Sequence, residues 1–244
     1  MYYAIEQARD LLDGLVKKGP EKKARFLRSA KKLLDEALKR ATPYVVSFCD
    51  VGNLLSQWRE YGDRGSGFSI GFDLEKLSTL FGGGTSVLKV TYDPEVQRDI
   101  LSATFEEYWN ILLRWQHKCR QTFDLPSAPE GSLEDHCRAQ LVSLLLTECA
   151  AFKNPGFKEE KEWRLIRLGE GSSPRKFRAG RLGIVTYIEL DPPSARKLPI
   201  KKLMLGSLAD RSAAERSVER LLEDCGYADI KVEVSTIPLR LGPC

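Results

Sequence analysis

The sequence lacks any apolar run long enough to cross a membrane as a helix. The longest candidate, Leu141 to Leu146, has six residues, whereas a transmembrane helix needs about 20. The N-terminus also lacks the pattern of a signal peptide, because charged residues interrupt the apolar stretch from Ile5 to Leu15. These absences predict a cytoplasmic protein with no membrane partner.

Regular cysteine spacing is also missing. The six cysteines stand at positions 49, 119, 137, 149, 225 and 244 and form no Cys-x-x-Cys pair. We expect them to be reduced in a cytosolic chain of this size. The only histidines, His117 and His136, lie beside Cys119 and Cys137 in helical patterns, which is not zinc-ligand spacing. The sequence therefore predicts no metal site.

Neither sign of charge dominates the composition. The net charge is +4, from 38 basic and 34 acidic residues, which does not demand a nucleic-acid partner. The basic residues nevertheless crowd the first two predicted helices: Lys17, Lys18, Lys22, Lys23, Arg25, Arg28, Lys31, Lys32, Lys39 and Arg40. We interpret them as a solvated helix face, and contact with phosphate is the alternative.

The length and the patterns predict an α+β fold. Apolar residues at helical spacing indicate helices over residues 2–17 and 21–41, a hairpin that we assign to an N-terminal appendage, residues 1–42. Residues 43–244 should form an α+β domain with a mixed or mostly antiparallel sheet of about six strands, flanked by helices. Two long helices, 94–123 and 133–151, should pack as an antiparallel pair on that sheet.

The most informative stretch runs from Val45 to Asp73. Residues 45–49 and 68–72 have strand patterns, and a short helical segment and a glycine-rich turn separate them. Strands joined by so short a connection should lie close together. They would present a cluster of polar and aromatic side chains at one end of a sheet, comprising Trp58, Arg59, Glu60, Tyr61 and Asp63.

A second cluster of charged residues lies on a predicted strand over residues 161–168. Glu160 and Glu162 are two positions apart, so on an extended chain they share a face, which Arg164 continues. Two carboxylates and a guanidinium can bind a sugar hydroxyl, stabilise a cation or form a structural ladder of ion pairs. The pattern leaves these alternatives open.

Several motifs resemble, in order, those of the bacterial family catalogued as domain of unknown function 2971. The matching segments are Ser47–Cys49, Trp58–Asp63, Gly67–Asp73, Phe152–Arg164 and Ser235–Arg240. Members of that family usually begin with a strand containing a Tyr-Lys-Tyr-like motif, followed by an Asn-Asp-Pro-Phe turn. Neither occurs here, so the resemblance implies a chain shortened at its N-terminus and missing part of the family's presumed cleft.

The resemblance also implies a function. A full family member looks similar to the ADP-ribosyltransferase fold, which suggests a domain that binds NAD, as a candidate substrate, or a related nucleotide. Glu160 or Glu162 would be the catalytic carboxylate, since a carboxylate can stabilise an oxocarbenium-like ribose. The other candidates are substrate-binding residues: Ser47 in the pocket, Arg59 or Arg164 on phosphate, and Trp58, Tyr61 and Asp63.

A different class of function fits the same sequence. The protein would then be a non-catalytic binding or regulatory module, for instance in a stress or phage-defence system. Its basic N-terminal helices would contact nucleic acid or a protein partner. In an enzyme the candidate residues should converge on a pocket, whereas in a binding module they should pair with one another. Catalysis by a Cys49 nucleophile ranks third, because no histidine lies near it in the sequence.

Overall fold

The computed structural model describes residues 2–40, 43–81, 84–122, 130–169, 173–180, 183–193, 196–207 and 211–238. The chain divides into two units. The first unit comprises Met1–Ser47, Gly84–Glu159 and Trp163–Glu189, and the second comprises Phe48–Gly83, Glu160–Glu162 and Leu190–Cys244. The first two helices belong to the first unit.

Helices and strands are mixed along the chain. The α-helices are α1 (Tyr2–Lys18), α2 (Glu21–Arg40), α3 (Leu55–Glu60), α4 (Leu74–Leu80), α5 (Pro94–Thr122), α6 (Glu130–Ala150) and α7 (Arg211–Asp224). The strands are β1 (Tyr44–Cys49), β2 (Phe68–Phe72), β3 (Thr85–Lys89), β4 (Glu162–Arg167), β5 (Lys176–Gly180), β6 (Gly183–Tyr187), β7 (Ile200–Leu205) and β8 (Lys231–Val234). Two short 3-10 segments cover Asp63–Gly65 and Pro155–Glu160. Of the helices that the structure describes, none is both long and apolar enough to span a membrane.

The core of the first unit is helical. Apolar residues at helical spacing give α1 and α2 one buried stripe each, and these stripes pack with α5 and α6 in a single hydrophobic cluster. The innermost members of the cluster include Leu12, Leu27, Leu34, Phe105, Leu112, Leu141 and Leu145. The predicted N-terminal helical hairpin is confirmed, and its helices end within a residue or two of the predicted limits.

Ion pairs also link the two helices of this hairpin. Arg9 Nη2 lies 2.6 Å from Asp35 Oδ1, and Lys31 Nζ lies 2.6 Å from Asp13 Oδ1. These groups are partly exposed, so each pair contributes about 1 kcal/mol or less. Burial of a single leucine side chain contributes about 1.5–3 kcal/mol. The apolar stripe, rather than the ion pairs, therefore holds the hairpin together.

The first unit also contains β-structure. One three-stranded sheet has the order β1-β4-β3, with β3 antiparallel to β4 and Val87 opposite Leu165. Strands β5 and β6 form a separate antiparallel hairpin. Gln97, which is fully buried on α5, donates from Nε2 to the carbonyls of Thr91 and Lys153. Gln97 thereby ties the first turn of α5 to the chain that follows α6.

The second unit is built on a sheet with the order β2-β7-β8. Strand β2 pairs antiparallel with β7, and β8 pairs parallel with β7 through a crossover that contains α7. Leu203 and Leu205 of β7 pack against Val218 and Leu222 of α7. This small βαβ arrangement supplies the apolar core of the unit.

The predicted α+β class is confirmed, but the strands do not form one sheet of about six. They belong to two sheets of three strands and one hairpin. Strands β1 and β2 lie close together as predicted, since the rings of Phe48 and Phe72 are 5.7 Å apart, but they belong to different sheets. Residue alternation identifies a strand but does not select its partner, and here β2 pairs with the distant β7 instead.

Candidate functional site

The chain that leaves β1 meets the start of β4. The backbone N–H of Asp50 donates to the carbonyl of Lys161, with an N···O distance of 2.9 Å. Strands β1 and β4 are also neighbours in their sheet. The hydrogen bond places Glu160, Lys161 and Glu162 beside Cys49 and Asp50, all in the second unit.

The two candidate carboxylates lie in different local structures. Glu160 is the last residue of the 3-10 segment, and Glu162 is the first residue of β4. Lys161 between them has a φ of 45°, a left-handed conformation that costs a non-glycine residue about 1–2 kcal/mol. The prediction that both glutamates share one face of a strand is therefore wrong. Glu162 is buried, with 4% exposure, whereas Glu160 is half-buried.

Arg164 lies two residues after Glu162 on β4, on the same face of the strand. Its Nη1 donates to the carbonyl of Ala150, the last residue of α6. The last carbonyls of a helix have no partner within the helix, so this contact satisfies one of them. Arg164 thus has a structural contact in the first unit, and its predicted role in binding phosphate stays a prediction.

Trp58 lies in the core of the second unit, with 3% of its surface exposed. Its indole Nε1 donates to Asn53 Oδ1 at 2.8 Å, and the Ser235 hydroxyl donates to the same oxygen at 2.7 Å. Ser235 is itself buried and follows β8. One amide oxygen therefore connects the loop after β1, the helix α3 and the end of β8.

The residues that follow Trp58 are exposed. Arg59 and Tyr61 point to solvent, and Tyr61 is 70% exposed. Asp63 and Arg64 have φ values of 46° and 52°, and Gly65 follows with 97°. The N–H groups of Gly65 and Gly67 both donate to the Gly62 carbonyl, which closes this left-handed turn.

Sequence comparison finds a family match for the middle of the chain. Residues 57–165 match the model of a family described as protein of unknown function, DUF2971. The resemblance that the motifs predict is confirmed over this segment. No curated protein and no solved structure matches the chain.

The DUF2971 segment contains most of the predicted site residues. It runs from the residue before Trp58 to the residue after Arg164, and it leaves out Ser47 and the C-terminal motif. Ser47 is exposed on β1, in the first unit. Leu239 and Arg240 of that C-terminal motif lie outside the described residues.

Three candidate residues of the DUF2971 segment, Trp58, Glu160 and Glu162, fall into two groups in the second unit. Glu160 and Glu162 lie with Cys49 and Asp50, and Trp58 lies with Asn53 and Ser235. Sequence reasoning missed the bridging role of Asn53, since a single asparagine in a loop carries no distinguishing pattern. Asp50 could have been found as the acidic residue directly after the Ser-Phe-Cys motif.

Cys49 borders the glutamates of the DUF2971 segment. Burial raises the pKa of its thiol above the ordinary value, and the negative charges of Asp50 and Glu160 raise it further. A raised pKa leaves the thiol protonated at neutral pH, whereas a cysteine nucleophile needs its thiolate. These surroundings oppose nucleophilic catalysis by Cys49.

Within the described ranges, no group of three or more His, Cys, Asp or Glu side chains is arranged to hold a metal ion. His117 lies on α5 and His136 on α6. The side chain of Cys119 is not among those that the structure describes.

Proposed function

We propose that the second unit binds NAD or a related nucleotide in the manner of an ADP-ribosyltransferase, with its reactive carboxylates at Glu160 and Glu162. The hydrogen bond from Asp50 to Lys161 carries the proposal, because it fixes these glutamates beside the end of β1. In the enzyme hypothesis the candidate residues converge on a pocket, and this hydrogen bond brings two of them, Glu160 and Glu162, to the strand of the Ser-Phe-Cys motif.

The two glutamates have different roles in this proposal. Glu160 is the more exposed, so it contacts the ribose of the ligand, while the buried Glu162 positions the turn around Lys161. Cleavage breaks the bond between the nicotinamide nitrogen and ribose C1′, and the bonding electron pair leaves with neutral nicotinamide. The carboxylate of Glu160 stabilises the positive charge that develops on the ribose. Water or an acceptor nucleophile then attacks C1′ and loses a proton.

The test is release or transfer of labelled ADP-ribose from NAD by the full chain. We expect the wild-type chain to turn over NAD and the Glu160→Gln variant to lose about 100-fold or more in kcat. Glu159→Gln removes an exposed carboxylate from the same 3-10 segment and should leave turnover unchanged. Failure of the wild-type chain to bind or cleave NAD would contradict the proposal, as would equal losses in the two variants.

A second candidate function is supported by the charge on α2. Arg25, Lys32 and Lys39 are exposed, and in the described part of the chain they make no ion pair or side-chain hydrogen bond. Their seven-residue spacing places them on one stripe at intervals of about 10 Å. Other cations of the helix are neutralised: Lys23 by Glu106, Arg28 by Glu21 and Lys31 by Asp13. We propose the unpaired stripe as a contact for a nucleic-acid backbone.

Fluorescence anisotropy with a labelled duplex over a range of salt concentrations tests this second function. Arg25→Glu/Lys32→Glu should weaken binding and reduce the slope of log K against log salt by about two, since each phosphate contact contributes about 0.9. The matched control is Arg216→Glu/Arg220→Glu, which reverses two exposed charges on α7. Absence of binding by wild-type protein at low salt, or an equal slope change in the control, would exclude the α2 stripe as the nucleic-acid contact.

A further inference from the structure

A groove in the first unit lies between α1 and α5, far along the sequence from the proposed carboxylate site. Its volume is about 300 Å³, within the lower range of small-molecule pockets, which begins at roughly 300 Å³. Its floor is apolar and consists of Leu11, Leu15 and Leu101. Gly14 lines the same groove, and a Cβ added there would meet no atom of the described residues within 4 Å. A glycine inside a helix thus leaves the groove open where another residue would begin to fill it.

Gln7 lines this groove and carries a buried acceptor. Its side-chain oxygen Oε1 is inaccessible to solvent and accepts no hydrogen bond from the residues that the structure describes. An unsatisfied buried carbonyl is costly, so a donor that reaches it is favoured. Asp10 lines the groove one turn further along α1 and adds an exposed carboxylate acceptor.

Two cations complete the lining. Lys18 lies at the end of α1, and Arg98 lies on α5. Neither side chain makes an ion pair or a hydrogen bond with the residues that the structure describes. An ammonium and a guanidinium without protein partners are suited to a phosphate. From Gln7 to Lys18 the helix rises about 16 Å, which sets the length of the lining.

We propose that this groove binds a nucleoside 5′-monophosphate. The groove combines acceptors, an apolar floor and two cations, and such a ligand carries N–H donors, a flat base and a phosphate. Rotation of the Gln7 side chain brings Oε1 to an N–H donor of the base, and Asp10 accepts from the ribose hydroxyls. The leucine floor packs against the face of the base, while Lys18 and Arg98 bind the phosphate. The proposal adds a second nucleotide site, and no step of catalysis depends on it.

Calorimetric titration of the full chain with AMP tests the groove. Adenosine lacks the phosphate and inorganic phosphate lacks the base, so each should bind at least about tenfold more weakly than AMP. Lys18→Glu should weaken AMP binding about tenfold or more, whereas Lys17→Glu, an equal charge change on the neighbouring exposed residue, should have less than about a twofold effect. Gly14→Leu fills the groove and should abolish binding, with a thermal melt showing that the variant is folded.

The outcomes separate this inference from the proposed enzyme function. Loss of AMP binding in Lys18→Glu and Gly14→Leu, with binding retained in Glu160→Gln, supports the groove whether or not NAD is cleaved. Three results would overturn it: no binding of AMP by the wild-type chain, an equal loss in Lys17→Glu, or loss in Glu160→Gln with Gly14→Leu unaffected. The last result would instead place the nucleotide at the carboxylates.

Discussion

Replacing Gly206 with alanine is expected to destabilise the second unit by about 3 kcal/mol or more. A Cβ on Gly206 would lie 2.0 Å from the carbonyl oxygen of Gly65 and 2.5 Å from its carbonyl carbon. Both are backbone atoms, so no side-chain rotation can relieve the overlap. The backbone N–H of Gly206 also donates to the Gly67 carbonyl at 2.9 Å, and separating the segments would lengthen that bond.

The turn that Gly206 contacts cannot move away easily. It contains the left-handed residues Asp63, Arg64 and Gly65 and is closed by hydrogen bonds to the carbonyl of Gly62. Gly62 in turn packs on Trp58, since a Cβ there would lie 2.5 Å from the indole ring. A shift of the turn would therefore disturb the buried tryptophan as well.

Urea unfolding, monitored by the hydrogen exchange of peptides from β2 and β7, would measure the loss of stability in the second unit. Gly14→Ala is the matched control, because the part of the chain that the structure describes places no atom within 4 Å of the added methyl group. Alanine at this helical position should raise the stability of the first unit by up to about 1 kcal/mol. If Gly206→Ala unfolded at the wild-type urea concentration, the close contact between Gly206 and Gly65 would be contradicted.

The limits of several elements follow from the sequence because they depend on local patterns. The helix predicted over residues 2–17 is α1, Tyr2–Lys18, and the strand predicted over residues 68–72 is β2, Phe68–Phe72. Pairing depends on contacts between segments that are far apart in the sequence. Phe68 pairs with Leu205 across more than a hundred residues, and no local pattern specifies that partner.

The candidate site was predictable to a similar extent. The motifs singled out Trp58 and Ser235, and both prove to be buried and joined through Asn53. The sequence did not predict that Glu160 and Glu162 lie in different local structures, because Lys161 adopts a left-handed conformation without being glycine or asparagine. Residue type gives no indication of such a conformation, which the surrounding hydrogen bonds must impose.

Truncation of Trp58 to alanine is expected to cost about 3–5 kcal/mol, the range for deleting a large aromatic side chain from a core. The substitution also removes the indole N–H that donates to Asn53 Oδ1, although the Ser235 hydroxyl still donates to that oxygen. Trp58→Phe keeps an aromatic ring but loses the N–H and part of the indole volume, so its cost should be smaller, about 1–2 kcal/mol. Urea unfolding with hydrogen exchange of the α3 segment would measure both losses.

Trp115 provides the matched control for this prediction, because it is the same residue type with 51% of its surface exposed. Trp115→Ala should cost about 1 kcal/mol or less, since the side chain buries less apolar area. A large loss at Trp58 with a small loss at Trp115 would mean that the tryptophan of the DUF2971 motif stabilises the second unit. Similar losses at both positions would show that Trp58 is not a core residue. Its side chain would then be accessible to a ligand, which is the role that the resemblance first implied.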